Sequence, residues 1–186
     1  MSSTSVEVPG LVAGTWSIDP THSEVGFSVR HLMVSKVKGS FKTFEGTITI
    51  ADNPLESKAE VTIDASSIDT RDENRDTHLR SSDFFEVEKH PQITFSATGV
   101  RAAGNDYVVT GDLTIHGVTR SVDLDVEFNG VGPDPWGGTR GGFSGSTEIT
   151  RSDFGIEFNM PLDGGGVVIG DKIKISIEVE AVLQKA

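Results

Sequence analysis

Cysteine is absent from this sequence of 186 residues. Its absence excludes disulfide bonds and thiol catalysis, and it removes thiolates from the possible metal ligands. The five histidines also lack HxxxH or HxH spacing, so the sequence predicts no metal site. G-x-S-x-G, P-loop, H-E-x-x-H and dinucleotide-binding motifs are missing as well, and we therefore expect no catalytic residues and no cofactor.

Long apolar runs and basic residues are also scarce. No stretch of about 18 apolar residues could span a bilayer, and residues 1–10 lack the basic and apolar regions of a signal peptide. We therefore expect one soluble domain over residues 1–186, located in the cytoplasm, without stable membrane insertion. The 16 lysines and arginines are outnumbered by 28 acidic residues, which gives a net charge of −12. This charge repels phosphates, so nucleic acid is not an expected partner.

The sequence is rich in segments where apolar and polar residues alternate. Such a period of two is typical of strands with one buried face and one exposed face. The clearest segments are residues 173–183 and 118–128, and weaker copies bring the total to about eight strands. Short connections such as His116-Gly117 favour antiparallel neighbours, and the Gly- and Pro-rich stretch 130–142 is predicted to be a further turn. Eight such strands must close into a barrel or stack as a sandwich, and we favour the barrel.

Residues 70–85 interrupt this pattern. Thr70 and Glu73 have the spacing of a capping box, which predicts a short helix beginning near Arg71.

Four glycines, Gly46, Gly99, Gly111 and Gly145, fall on the predicted inward face. Each glycine could allow a strand to bend, but four of them together favour some internal volume. Because the neighbouring inward residues are Phe, Ile, Val and Leu, such a cavity would suit an apolar guest.

Several stretches, taken in order, resemble the YceI-like polyisoprenoid-binding proteins over nearly the whole chain. They are Trp16-Ser17-Ile18-Asp19 with His22-Ser23, the segment 27–31, Asn74-Arg75-Asp76 with His78-Leu79 and Asp83-Phe84-Phe85, the segment 91–95, the segment 111–119 and the segment 151–155. The resemblance implies a lipocalin-like barrel of eight antiparallel strands with a short helical insertion by its mouth. It also implies a polyprenyl or quinone-like chain in the lumen, and a homodimer.

The candidate ligand-binding residues combine the inward apolar positions with polar residues near the predicted mouth. They are Phe27, Val29, His31, Phe44, Ile48, Arg75, His78, Leu79, Phe84, Phe95, Leu113 and Phe143. His31 could bond a ligand head group or be satisfied by a neighbouring residue. Arg75 and His78 belong to a cationic set that could meet a diphosphate or could pair internally with nearby aspartates.

Three functional hypotheses follow. The first, which we favour, is a binding protein that carries or sequesters a long isoprenoid-type lipid, either a polyprenyl diphosphate or a quinone. The second is a lipid-modifying enzyme with His31 or His78 as general base. The third is a structural module with a filled core.

Overall fold

A computed structural model describes residues 11–32, 34–159 and 169–184. These ranges contain eleven strands, one α-helix and four short 3₁₀ helices. The strands are β1 Gly14–Ile18, β2 Glu24–His31, β3 Ser35–Phe41, β4 Phe44–Ile50, β5 Lys58–Asp64, β6 Ile68–Asp69, β7 Gln92–Ala103, β8 Asp106–Ile115, β9 Val118–Pro133, β10 Thr139–Thr150 and β11 Ile169–Leu183. Helix α1 is Glu73–Arg80, and the 3₁₀ helices are Pro20–His22, Pro54–Glu56, Ala65–Ser67 and Arg151–Phe154. Neither α1 nor any 3₁₀ helix in these ranges has the length and apolar character needed to cross a bilayer.

The strands form a closed antiparallel barrel. Strands β1 and β2 both pair with β11, one after the other, so together they act as a single bent strand. Strand β3 pairs with β2 and β4 pairs with β1, so β3 and β4 also act as one strand. Strand β5 pairs with β4 and β6 pairs with β3, so β5 and β6 form the next one. The eleven segments therefore make eight barrel strands in chain order, and the last strand pairs back with the first. The predicted eight-stranded antiparallel barrel is confirmed.

The alternation in β9 and β11 sets which side chains face the lumen. In β9, Val122, Leu124 and Val126 line internal cavities, while the intervening Asp123 and Asp125 lie on the outer face. In β11 the isoleucines between residues 173 and 177 face inward in the same way. The period of two thus identified the inner wall correctly.

Helix α1 begins later than predicted. Its N-cap is Asp72, whose side chain accepts a hydrogen bond from the backbone N–H of Arg75 at 3.0 Å. The expected start near Arg71 with a Thr70 cap is therefore wrong. The reason is that Thr70 is buried, and its backbone N–H and hydroxyl both donate to the carboxylate of Asp76.

Two further expectations about glycines are also wrong. A bulge in β7 shifts the register after Ala97, so that Gly99 pairs with Thr110, whose hydroxyl donates to Asp123 on the outer face. Gly99 therefore does not belong to the inward set, because one extra residue reverses the side on which later residues lie. The stretch 130–142 is mostly strand as well, since β9 continues to Pro133 and only a short turn precedes β10.

Candidate ligand-binding site

The lumen contains a cavity of about 190 Å³ at the end of the barrel that holds α1, called cavity 1 here. Its walls are inward-facing strand residues such as Phe27 and Phe44. Leu79 of α1, Phe84 of the segment that follows it and Phe154 of the last 3₁₀ helix complete the lining. Among the described residues, the lining of cavity 1 is apolar apart from Gly26, Thr147 and Arg151. Cavity 1 can therefore accept an apolar guest on nearly every side.

A second cavity of about 160 Å³, called cavity 2, lies toward the opposite end. Tyr107, Phe128 and Phe143 contribute aromatic side chains to its wall. Six residues line both cavities, and we call them the waist: Ile18, Val61, Phe95, Leu124, Ile177 and Val179. Because the two cavities share these residues, they lie end to end along the lumen.

The glycines shape this lumen in an indirect way. A Cβ atom at Gly111 would overlap the ring of Phe95, and one at Gly39 would overlap the ring of Phe27. At Gly145 the Cβ would lie 2.8 Å from Ile177 Cγ1. The space at each of these glycines is thus taken by a large side chain from the neighbouring strand, which lies along the barrel wall. Because glycine has no side chain, these large side chains can lie flat against the barrel wall, which keeps the lumen open.

Nine of the twelve candidate residues from the sequence line the lumen. Phe27, Val29, Phe44, Leu79, Phe84, Phe95 and Leu113 line cavity 1, and Ile48 and Phe143 line cavity 2, to which Phe95 also contributes. The structure thus brings together the apolar candidates, which come from five different strands, from α1 and from the segment that follows it.

The three polar candidates, His31, Arg75 and His78, line neither cavity. Arg75 donates from Nε to the hydroxyl of Thr70 at 2.8 Å and from Nη2 to its carbonyl at 2.7 Å. His78 Nε2 lies 2.8 Å from a carboxylate oxygen of Asp83, which is one of the internal pairings considered above. His31 lies at the end of β2, where its carbonyl accepts a hydrogen bond from Ser35. The side chains of Arg75 and His78 are thus used in local structure rather than in the lumen.

Arg151 is a lining residue that the candidate set missed. Its guanidinium is 3 % exposed and donates to the carbonyls of Gly170, Ile156 and Phe158 at 3.1, 3.2 and 2.8 Å. Burial lowers the pKa of Arg151 from its ordinary value, and the Asp171 carboxylate opposes this shift. The available signal was the family-like stretch 151–155. Arg151 ties the chain on both sides of residues 160–168 to the barrel end.

Comparison with known proteins gives a consistent family assignment. The family model described as the YceI-like domain matches residues 16–181. The chain is 41 % identical over 177 residues to protein YceI of Escherichia coli, covering 94 % of this chain and 90 % of that protein. It is 45 % identical over 152 residues to the UPF0312 protein plu2095 of Photorhabdus laumondii, covering 80 % and 79 %.

Solved structures agree with this assignment. The YCEI protein of Campylobacter jejuni superposes with a TM-score of 0.71 at 35 % identity, covering 84 % of this chain and 90 % of that one. BcnA of Burkholderia cenocepacia superposes with a TM-score of 0.77 at 26 % identity, covering 88 % and 98 %. A polyisoprenoid binding domain from Saccharophagus degradans has the same fold, with a TM-score of 0.69 at 18 % identity, covering 93 % and 100 %. With a family model that spans most of the barrel and relatives of this similarity, the chain belongs to the YceI-like family.

Proposed function

We propose that this protein binds a long apolar isoprenoid-type lipid in the barrel lumen, as a carrier or sequestering protein. The observation that carries the proposal is the pair of apolar cavities that meet at the waist. Their end-to-end arrangement suits an extended flexible chain better than a compact molecule. A polyprenyl diphosphate or an isoprenoid quinone has such a chain.

The size and lining of the cavities support this proposal. Each cavity is comparable with an engineered apolar cavity of about 150 Å³ that stays dry and binds benzene. Burial of each CH₂ group contributes about 0.8 kcal/mol. Association costs about 4–15 kcal/mol, so a tail that fills both cavities can offset more of this cost than a single small group can.

The charged residues favour recognition of the tail over recognition of the head group. Among the described lining residues, only Arg151 in cavity 1 and Lys58 in cavity 2 carry a charge. Arg151 already donates to three backbone carbonyls. A diphosphate buried among the remaining apolar side chains would lack paired cations, which is costly. We therefore infer that the tail occupies the lumen while the head group stays near one end.

The comparisons are compatible with this function. The Saccharophagus degradans domain is described as binding a polyisoprenoid, and it shares the barrel architecture. At 18 % identity that likeness concerns the fold alone, so the ligand of this chain is proposed from its own cavities.

The other two hypotheses receive less support. His31 and His78 lie outside the lining of both cavities, so no observation favours either as a general base acting on a bound lipid. The two cavities argue against a filled core. A homodimer and a cytoplasmic location stay predictions from the sequence.

The test measures binding of polyprenyl diphosphates of increasing length, together with an alcohol and a quinone whose tails match one of them. We expect affinity to rise with tail length and to change less with the head group. Native mass spectrometry of purified protein should also detect a co-purified lipid. A protein that is empty and ignores all of these probes would refute the proposal.

A pair of variants localises the binding. Leu124→Trp places a large side chain at the waist, and Asp125→Trp places the same side chain on the outer face of the same strand. We expect the first variant to lose affinity for long tails at least about tenfold and the second to bind as wild type does. Equal affinities in the two folded variants would place the lipid outside the lumen.

A further inference from the structure

Glu86, His90 and His116 form a side-chain cluster outside the lumen. Their potential ligand atoms, one from each residue, all lie within 4.8 Å of one another. No other group of three or more such side chains is found in the part of the chain that the structure describes. The functional proposal above does not involve these residues.

Two local structures bring these residues together. The backbone N–H of His90 donates to the carbonyl of Glu86 at 2.9 Å, so a tight turn brings these two residues close together. His116 lies in the turn between β8 and β9, with a positive φ of 56°. The next residue, Gly117, allows the close approach of His90, because a Cβ there would lie 2.8 Å from the imidazole Cε1. The rings of His90 and His116 are consequently 4.8 Å apart.

The hydrogen bonds of His116 leave one nitrogen suited to ligation. Its Nδ1 donates to the carbonyl of Phe154 at 3.3 Å, so in the neutral imidazole the lone pair lies on Nε2. Among the described residues, His116 Nε2 is the buried side-chain polar atom without a hydrogen-bond partner. Metal-binding histidines commonly donate their second nitrogen to a carbonyl in this way.

Glu86 supplies a carboxylate oriented toward this nitrogen. Its Oε2 lies 3.6 Å from His116 Nε2, while Oε1 lies 3.2 Å from the ammonium of Lys89. Lys89 holds the pKa of Glu86 below its ordinary value. The side chains of Glu86 and His116 are 24 % and 19 % exposed, so the cluster lies near the surface although His116 Nε2 itself is buried.

We propose that Glu86, His90 and His116 form a binding site for a divalent transition-metal ion, with zinc as the best match. Two imidazoles and one carboxylate suit zinc, whereas calcium and magnesium prefer sets made of oxygen ligands. Tetrahedral zinc with bonds of about 2.0–2.2 Å needs ligand atoms roughly 3.4 Å apart. The pair at 3.6 Å is close to this spacing, and side-chain rotation can bring in the third ligand atom, which lies at most 4.8 Å from the others.

The site would connect three segments at the α1 end of cavity 1: the segment that contains Glu86 and His90, the turn that contains His116, and the last 3₁₀ helix. Glu86 and His90 follow the Phe84 and Phe85 side chains that line cavity 1. His116 is bonded to the 3₁₀ helix whose Phe154 also lines it. A bound ion would therefore hold the α1 end of the barrel together, whether or not a lipid occupies the lumen.

The test titrates tag-free protein with Zn²⁺ and Co²⁺ in a calorimeter, with Mg²⁺ as the comparison ion. We expect one Zn²⁺ per chain, a higher melting temperature, and visible Co²⁺ absorption typical of low-symmetry nitrogen and oxygen coordination. Mg²⁺ should give no comparable binding. Absence of saturable Zn²⁺ binding at one ion per chain would overturn the proposal.

Three variants assign the ligands with little change in shape. Glu86→Gln keeps the side-chain size, His90→Phe keeps a ring, and His116→Asn uses a residue that tolerates positive φ. Each should weaken Zn²⁺ binding at least about tenfold, because even outer-shell changes at metal sites cost 10–100-fold. The control is His22→Ala, which removes a histidine bonded to Asp19 at 2.8 Å outside the cluster. Unchanged affinity in any of the three folded variants, or an equal loss in the control, would overturn the assignment.

Wild-type protein provides a measurement that does not depend on folded variants. Long-range ¹H–¹⁵N spectra of the imidazoles should show His116 with a protonated Nδ1, and Zn²⁺ should shift its Nε2 resonance together with a nitrogen of His90. A Zn²⁺-dependent shift confined to His22, His31 or His78 would contradict the proposed site.

Discussion

At the α1 end of the barrel, apolar side chains from outside the strands cover the lumen, whereas the opposite end is closed by β1 and an ion network. Leu79, Phe84 and Phe154 line cavity 1 at the α1 end. At the other end Trp16 is fully buried with Ile50 and Ala181 as a separate core cluster. The two ends thus use different kinds of contact.

The ion network lies where the first strand meets the last. Arg140 of β10 donates from Nη1 to Asp19, just after β1, at 2.7 Å and to Glu180 of β11 at 3.2 Å. Its Nε donates to Asp134 in the preceding turn at 3.1 Å. Arg140 therefore connects the strands that close the barrel. We infer that this end maintains the closed barrel, while the covering side chains of the α1 end can rotate to admit a ligand without breaking ion pairs.

Replacement of Trp16 tests the closed end most severely. Trp16→Ala removes a fully buried ring and its hydrogen bond from Nε1 to the carbonyl of Val12 at 3.1 Å. We expect the free energy of unfolding in urea to fall by about 3–5 kcal/mol. Trp136→Ala is the matched control, because that ring is 76 % exposed and its loss should cost less than about 1 kcal/mol. Similar losses in both variants would show that the Trp16 cluster does not determine stability.

Loss of Arg140 should have a smaller effect that depends on pH. Arg140 is the main cause that lowers the pKa of Asp19, and it also helps to lower the pKa of Asp134. Because these pKa values are lower in the folded protein, the stabilisation is complete above the unfolded value of about 4 and is lost progressively as pH falls from there through the folded values. Arg140→Met should therefore lower the urea midpoint at pH 7, and the difference from wild type should shrink toward pH 3.

The control for this measurement is an exposed ion pair. Arg101 Nη2 lies 3.5 Å from Asp123, and both side chains are more than half exposed. Arg101→Met should change the urea midpoint little at any pH, since exposed pairs contribute about 0–1 kcal/mol. A gap between wild type and Arg140→Met that stays constant from pH 7 to pH 3 would contradict the role given to Asp19.

A glycine substitution tests the α1 end. Gly39→Ala places a Cβ where the ring of Phe27 lies, so the ring must turn into cavity 1. We expect a cost in stability of about 1–3 kcal/mol and weaker binding of long-tailed lipids. Gly99→Ala is the control, because nothing lies within 4 Å of the added atom. Equal lipid affinity in the two variants would mean that the flat position of Phe27 does not keep the lumen open.

The apolar wall was predictable because it depends on a local pattern. Alternation in residues 118–128 and 173–183 assigns the inner face without knowledge of strand pairing. Gly99 was misplaced because a bulge depends on how β7 pairs with β8. Thr70 and Asp72 are both good capping residues, and only the burial of Thr70 against Asp76 decides between them.

The polar candidates were harder to place for a related reason. Arg75 and His78 lie near the covered end in sequence and in space, but Thr70 and Asp83 are within reach and satisfy them. A buried or half-buried polar group forms a hydrogen bond with a suitable donor or acceptor among the residues that surround it in the fold. Nothing in the sequence distinguishes such a partner from a ligand.

The sequence alone determined an all-β fold with an apolar interior, because strand alternation is a pattern of neighbouring residues. Alternation left both a barrel and a sandwich open, and the resemblance to YceI-like proteins implied the barrel. Only the tertiary structure decided that Phe27 and Phe95 lie flat over glycines, that Arg140 joins the closing strands, and that His116 meets Glu86 and His90. Each of these contacts joins segments distant in the chain, and strand pairing and turn placement set such distances. A periodic pattern within one segment carries no information about them.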